Sequence, residues 1–401
     1  MKKGFLIAIL AVLTVTGSTF AEGAPDGSLR MWVDGEYLLW WLRPATVSQP
    51  LLTTGPLTNP TSLGSGVLGN DSTQVLAGNS RLNTGPYNGF HVGAGWIDCS
   101  DTFGVSGDFF YLAQHATSFS FNSDDTGNPL LARPVQDART GNETVLFVSA
   151  PNAFSGKLDI SSTTSLLGAD GNFLWPCWRG CCDDCVRTYF TPLAGFRYLN
   201  LRDGLAISQS SNVLGNGISF FGGQPITAGS SLSITDNLQT INQFFGGQVG
   251  ARAGISWWRF TLNGVGTIAL GGVRQQSILN GFTTAVDPAF GLNQTLPGGL
   301  YALNTNSGSH VRDVFAVLPQ GNLSLSVEIT AQLRLTVGYS ILYISDVARP
   351  GNMIDRSINR TQLPSSQAFN PFIPGPQSPG ANFTGTDFWA QGLNFGISLR
   401  F

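Results

Sequence analysis

From Leu323 to Tyr343 every odd position is apolar or aromatic: Leu323, Leu325, Val327, Ile329, Ala331, Leu333, Leu335, Val337, Tyr339, Ile341 and Tyr343. Between them stand Ser324, Ser326, Glu328, Thr330, Gln332, Arg334, Thr336, Gly338 and Ser340, with Leu342 the first even position to break the rule. A period of two marks a strand with one apolar face. The chain closes in the same way, Leu393, Phe395, Ile397, Leu399 and Phe401 alternating with Asn394, Gly396, Ser398 and Arg400. Met31 to Trp41, Phe90 to Trp96 and Val249 to Trp257 repeat the pattern, with aromatics near the strand ends.

Alternation and breakers place strands at 31–42, 87–98, 102–113, 157–175, 188–208, 241–256, 259–273, 312–329, 333–345 and 387–401. The fourth needs a parity slip at Leu166 and Leu167. Connections after the odd-numbered strands are long and rich in Gly, Asn, Ser, Thr and Pro, centred near 65, 135, 225, 293 and 366. The others are tight, apart from a Cys-rich insert. Strands of about 10 to 14 residues with this rhythm predict an all-β fold, a single antiparallel up-and-down transmembrane barrel. A soluble sandwich would show shorter strands and more charge. The count is ten strands, or twelve if 209–240 holds another hairpin. Both termini fall on the short-turn, periplasmic side.

Composition agrees. Of the 401 residues 11% are charged, against about 25% in soluble domains, and 50 glycines with many Asn, Ser and Thr take their place. Lysine occurs only at 2, 3 and 157 and net charge is −3, so no basic stripe exists to bind nucleic acid. Residues 1–21 read as a cleaved secretory signal: Lys2 and Lys3, an apolar run, then a small-residue cleavage site at Ala21. The mature chain, 22–401, is then one barrel domain. No later stretch has the apolar length of a membrane helix.

Trp32 to Trp41, Gly195 to Leu205, and Gly338 to Gly351 followed by Ile354-Asp355, together with Asn359 to Pro364, resemble the planctomycete β-barrel porin family. The resemblance implies an outer-membrane, porin-like barrel and carries no catalytic residues.

The inward parity collects Asp34, Glu36, Asp108, Arg197, Arg252, Arg259, Glu328 and Arg334 as candidates to line a solute path. The same set fits a plugged barrel, because about eight strands leave room only for side chains, and aqueous porins use about sixteen to eighteen. The expected function is therefore passive passage of small solutes through a narrow, charge-lined lumen, with a closed barrel that makes surface contacts through its loops as the alternative. Cys177, Cys181, Cys182 and Cys185 point to two disulfides in an oxidising envelope, Cys177 with one of the adjacent pair and Cys185 with the other, ahead of a metal site. Cys99 is left over. His115 beside Asp124 and Asp125, or His310 beside Asp313, would be needed for hydrolysis, but no nucleophile motif accompanies them or His91, so the expectation is no enzyme and no cofactor. Trp40, Trp41, Trp257, Trp258 and Trp389 read as interface anchors, and Phe395, Ile397, Leu399 and Phe401 as a C-terminal insertion signal. The expected partners are outer-membrane lipid, the barrel assembly machinery and small solutes.

Overall fold

The computed structural model describes residues 30–56, 65–82, 85–182, 186–373 and 375–401, without the side chains of Cys181 and Cys182. The expected signal segment lies outside the described residues. Ten strands form the wall: β1 (Arg30–Leu42), β2 (Tyr87–Ile97), β3 (Gly104–Asn122), β4 (Phe154–Leu174), β5 (Val186–Val213), β6 (Ser231–Trp257), β7 (Phe260–Asp287), β8 (Gly308–Glu328), β9 (Leu333–Ala348) and β10 (Gly385–Arg400). Each pairs antiparallel with its sequence neighbours, and β1 closes on β10 from Trp32 opposite Arg400 to Leu42 opposite Ala390. This is the expected ten-stranded barrel. Segment 209–240 adds no wall strand; it lengthens β5 and β6 and holds a small hairpin, 219–221 with 224–226.

β5 and β7 each run 28 residues, far more than the roughly 9 to 11 that cross a bilayer. Along β6 the outward positions near the short turns are Trp257, Ile255, Val249 and Phe245, and farther along they become Gln239, Asn237, Thr235 and Ser233. The inward positions change oppositely, from Arg252 and Gln248 to Phe244, Leu238, Ile234 and Leu232. From Trp257 to Phe245 is about 40 Å of strand, or about 30 Å of height at a barrel's tilt, which matches the hydrocarbon thickness. Beyond it the outside faces water, so the apolar face turns inward while the backbone parity continues.

The same inversion accounts for the slip expected in β4. That strand pairs with β5 without a break from Phe154 opposite Val213 to Leu174 opposite Leu193. Leu158 and Ile160 face inward above the membrane, and Ala169 and Phe173 face outward within it. The irregularity sits instead on β3, between Leu112 and His115.

The long connections fold back onto the tall side of the wall. Segments 45–54, 74–82, 131–137, 143–149 and 357–358 pair into a second sheet. Leu51, Leu131, Val135 and Val148 of that sheet share one core with Leu158, Ile160, Leu205, Ile207 and Leu238 of the wall. The outer half is therefore a lobe whose one layer is the extended barrel. Backbone carbonyls of the inserted sheet are satisfied by the wall: Gln209 donates to Phe147 O at 3.0 Å and Ser211 to Val148 O at 2.8 Å.

Two buried ion pairs pin the insert. Arg133 reaches Asp236 of β6 at 2.9 Å with both side chains 0% exposed. The other Asp236 oxygen accepts the backbone N–H groups of Leu300, Tyr301 and Ala302 at 2.8 to 3.0 Å. Arg133 also lies over the Tyr301 ring, 4.7 Å from its centroid, and burial pushes the Tyr301 hydroxyl above the ordinary phenol value. Lower down, Arg349 meets Asp203 of β5 at 2.9 Å, and Thr164 donates to the same carboxylate at 2.6 Å.

Removing one member of such a pair costs about 3 to 5 kcal/mol, because the other charge is left buried alone. Asp236→Ala is expected to expose the 123–153 connection to protease in detergent while the barrel keeps its heat-modifiable mobility. The double change Arg133→Met with Asp236→Leu should restore resistance. A single variant as resistant as the wild type would refute the pinning role.

Candidate functional site: a vestibule with a closed floor

Below the midline the inward positions enclose a cavity of about 750 Å³ that opens toward the short turns and termini. Alternation on each strand delivers its lining. Asp34 and Glu36 come from β1, His91 from β2, Asp108 from β3, Asp170 from β4 and Arg197 from β5. His91 lies between two carboxylates, its Nε2 3.2 Å from Asp108 and its Nδ1 3.6 Å from Glu36. Arg197, 3% exposed, is held by Asp170 and by the Gln320 side chain of β8, and its guanidinium lies 5.7 Å from the Phe110 ring centroid. Arg252 reaches Ser106 at 3.0 Å and Asp108 at 3.4 Å.

At the rim, Arg30 and Arg179 both pair with Asp101. The turn that presents Asp101, itself at φ +57°, is tied by Asp98, whose carboxylate accepts from Ser100, from the Thr102 hydroxyl and N–H, and from the Phe103 N–H. Those hydrogen bonds, Ser100's first, hold the Asp98 carboxyl far below its usual value.

Six of the eight sequence candidates, Asp34, Glu36, Asp108, Arg197, Arg252 and Arg334, line this cavity. Two do not. Arg259 belongs to the turn between β6 and β7, where it approaches Ile329 O at 3.5 Å; parity has no meaning in a turn. Glu328 ends β8 outside the cavity lining and pairs with Arg334 at 3.7 Å. Asp170, Gln248, Gln320 and Arg400 line it as well. Each alternates with outward apolar residues, as Asp170 does with Ala169 and Phe173, so the signal for them is present in the sequence.

The cavity's floor is apolar. Every wall strand contributes to one buried cluster that crosses the interior, among them Trp40, Tyr87, Phe110, Leu166, Leu199 and Phe244. Ala269, Leu318, Leu342 and Phe388 complete it. Trp40 is thus a core residue, 2% exposed, its indole N–H donating to Asn394 at 2.8 Å, and not the interface anchor its neighbours suggest. Trp41, Trp257 and, in the β6–β7 turn, Trp258 are exposed, and Trp389 has the outward parity of β10. Phe395, Ile397 and Phe401 are exposed as well, and Phe401 and Met31 exchange backbone hydrogen bonds at the seam.

The other candidates separate. His115 packs on Tyr87, ring centroids 5.1 Å apart, while Asp124 accepts from Thr126 and Asn128 in its own loop. His310 lies 2.9 Å from Asn306 O, and Asp313 is on the opposite face of β8. Cys99 and Cys177 are free and exposed. Residues 178–182 form a strand paired with 186–190, which spaces Cys177 and Cys181 by about 13 Å, beyond the roughly 7 Å a disulfide spans. Cys185 lies outside the described residues.

The family model described as Putative beta barrel porin-7 matches residues 32–401. The chain belongs to this family. It is an outer-membrane β-barrel protein, and the match spans every strand from Trp32 to the C-terminus. No curated protein matches it. Among solved structures it is similar to the outer membrane protease OmpT from Escherichia coli, with TM-score 0.35 and 6% identity over 96% of this chain and 100% of that one. A Pseudomonas aeruginosa FadL homologue gives TM-score 0.23 and 7% identity over 94% and 90%. The P. putida toluene transporter TodX gives 0.20 and 8% over 94% and 90%.

Because the folded Asp98 carboxyl titrates below its unfolded value, its contribution to the rim turn is complete above the unfolded value, near 4, and is lost only as pH falls through the folded one. Hydrogen exchange at the Thr102 and Phe103 amides, corrected for intrinsic rate, should give the same protection at pH 7 and pH 5. Asp98→Ala should abolish that protection at both.

Proposed function

We propose that this family member is a closed outer-membrane barrel that anchors a rigid lobe at the cell surface, rather than a conduit for solutes. The observation that carries the reading is the apolar layer built from all ten strands. An ion crossing it would leave water for hydrocarbon-like surroundings at a cost of many kcal/mol. Above the layer, the pinned insert occupies the space where a porin keeps an aqueous channel. The connections are thus spent on a packed lobe, and at its turns Phe290, Phe372 and Ile218 stand 82%, 92% and 59% exposed. Large apolar side chains displayed at exposed turns suit contact with a partner surface.

The test is conductance of the refolded mature chain in planar bilayers, with insertion verified independently by heat-modifiable mobility and protease protection. No discrete current steps are expected. Reproducible steps from the folded wild type, with selectivity altered by Arg197→Ala and Arg334→Ala, would overturn the reading and establish passage.

A further inference from the structure

The two walls of the vestibule differ in charge. Asp34, Glu36, Asp108 and Asp170 stand on β1, β3 and β4, and Arg252, Arg334 and Arg400 on β6, β9 and β10. The acidic wall is largely answered from within: His91 sits between Glu36 and Asp108, and Arg197 takes Asp170. The basic wall keeps donors to spare. Arg252 and Arg334 meet their carboxylates only at 3.4 and 3.7 Å, and the Nε of each is shielded from solvent without a protein acceptor. Arg400 lines the same wall, two residues along β10 from Ser398, which stands opposite Arg334 on β9.

Two aromatic rings flank these arginines. Trp32 covers Gly95 and Tyr189 covers Gly254, and a Cβ at either glycine would collide with the ring above it. The glycines let both rings lie against the wall. Arg252 is 5.9 Å from the Trp32 ring centroid, and Tyr189 is fixed by donating to Asn263 at 2.8 Å. The cavity, about 750 Å³, falls within the range of about 300 to 1,000 Å³ typical of small-molecule sites.

We propose that the vestibule binds a small organic oxyanion, a carboxylate or phosphate carried on a flat ring, which enters from the short-turn, periplasmic side. Arg252, Arg334 and Arg400 receive the anionic group, since guanidinium forks suit planar oxyanions. Trp32 and Tyr189 receive the ring. The site needs only the open mouth, and binding is read by heat rather than current, so its failure and that of the closed-barrel reading are separable.

Calorimetry of the mature chain in detergent would use phthalate, phenyl phosphate, inorganic phosphate and neutral benzamide. Phthalate or phenyl phosphate should saturate one site, the two distinguishing carboxylate from phosphate, and benzamide should give no saturable heat. Arg334→Gln with Arg400→Gln should weaken binding about tenfold or more, whereas the outward Arg274→Gln should leave it unchanged. Trp32→Leu should weaken phenyl phosphate but not inorganic phosphate. Arg334→Lys with Arg400→Lys keeps the charge and guards against a folding defect. Absence of saturable binding to the folded wild type, or equal affinity in the double Gln variant, would overturn the proposal. Inorganic phosphate binding as tightly as phenyl phosphate would overturn the role of the rings.

Discussion

A strand that outlasts the bilayer must serve two solvents, and the rest of this architecture follows from that constraint. Within the membrane the outward side chains face hydrocarbon, and the inward ones can be polar where water or one another satisfies them. Above it the outward positions face water and the inward ones must find apolar partners. β4 to β7 meet both demands by exchanging the character of their faces partway along, with no change of backbone parity. The apolar inner face so created above the bilayer is what the long connections cover.

This division explains why a barrel of ten strands can be polar and apolar inside at once. The lower interior is too wide for side chains alone to fill, and it remains a cavity lined by interlocked charges. Where the faces exchange, all ten strands turn apolar groups inward, from Ala269 on β7 to Trp40 on β1, and the interior closes. The vestibule and the lobe are therefore separated by the same transition that separates membrane from water.

Much of this was legible in the sequence, and what was not has a physical origin. The wall strands and their order follow from alternation, as do Asp34, Arg197 and Arg252 in the lumen. The upper ends of β3, β5, β6 and β7 run on past the expected strands, and on β4 Leu158 and Ile160 alternate with polar residues just as membrane-facing residues do. Period two reports that a strand has two faces without saying which face meets water. Reading Leu158 and Ile160 as lipid-facing forces an apparent slip at Leu166, where the structure has only a change of surroundings. Trp40 and Trp41 show the same limit in miniature: adjacent identical residues, one in the core and one at the interface. The pinning pairs were invisible for another reason. Arg133 and Asp236 lie 103 positions apart, and no local pattern marks a long-range partner.

Those pairs bear on specificity as much as stability. Replacing a buried ion pair with well-packed apolar groups is often neutral or stabilising, so the core shared by wall and insert could hold the lobe without them. Apolar contacts, however, tolerate sliding by a residue pair along a wall of alternating Leu and Ile. Asp236 does not, because one of its oxygens is committed to the N–H groups of Leu300, Tyr301 and Ala302 and the other to Arg133. One carboxylate thereby sets the 298–303 turn and the 131–137 strand in register with β6. Asp203 does the same for the segment after β9 through Arg349. A slip of one residue pair would carry either segment about 7 Å along the wall, and the carboxylate contacts forbid it.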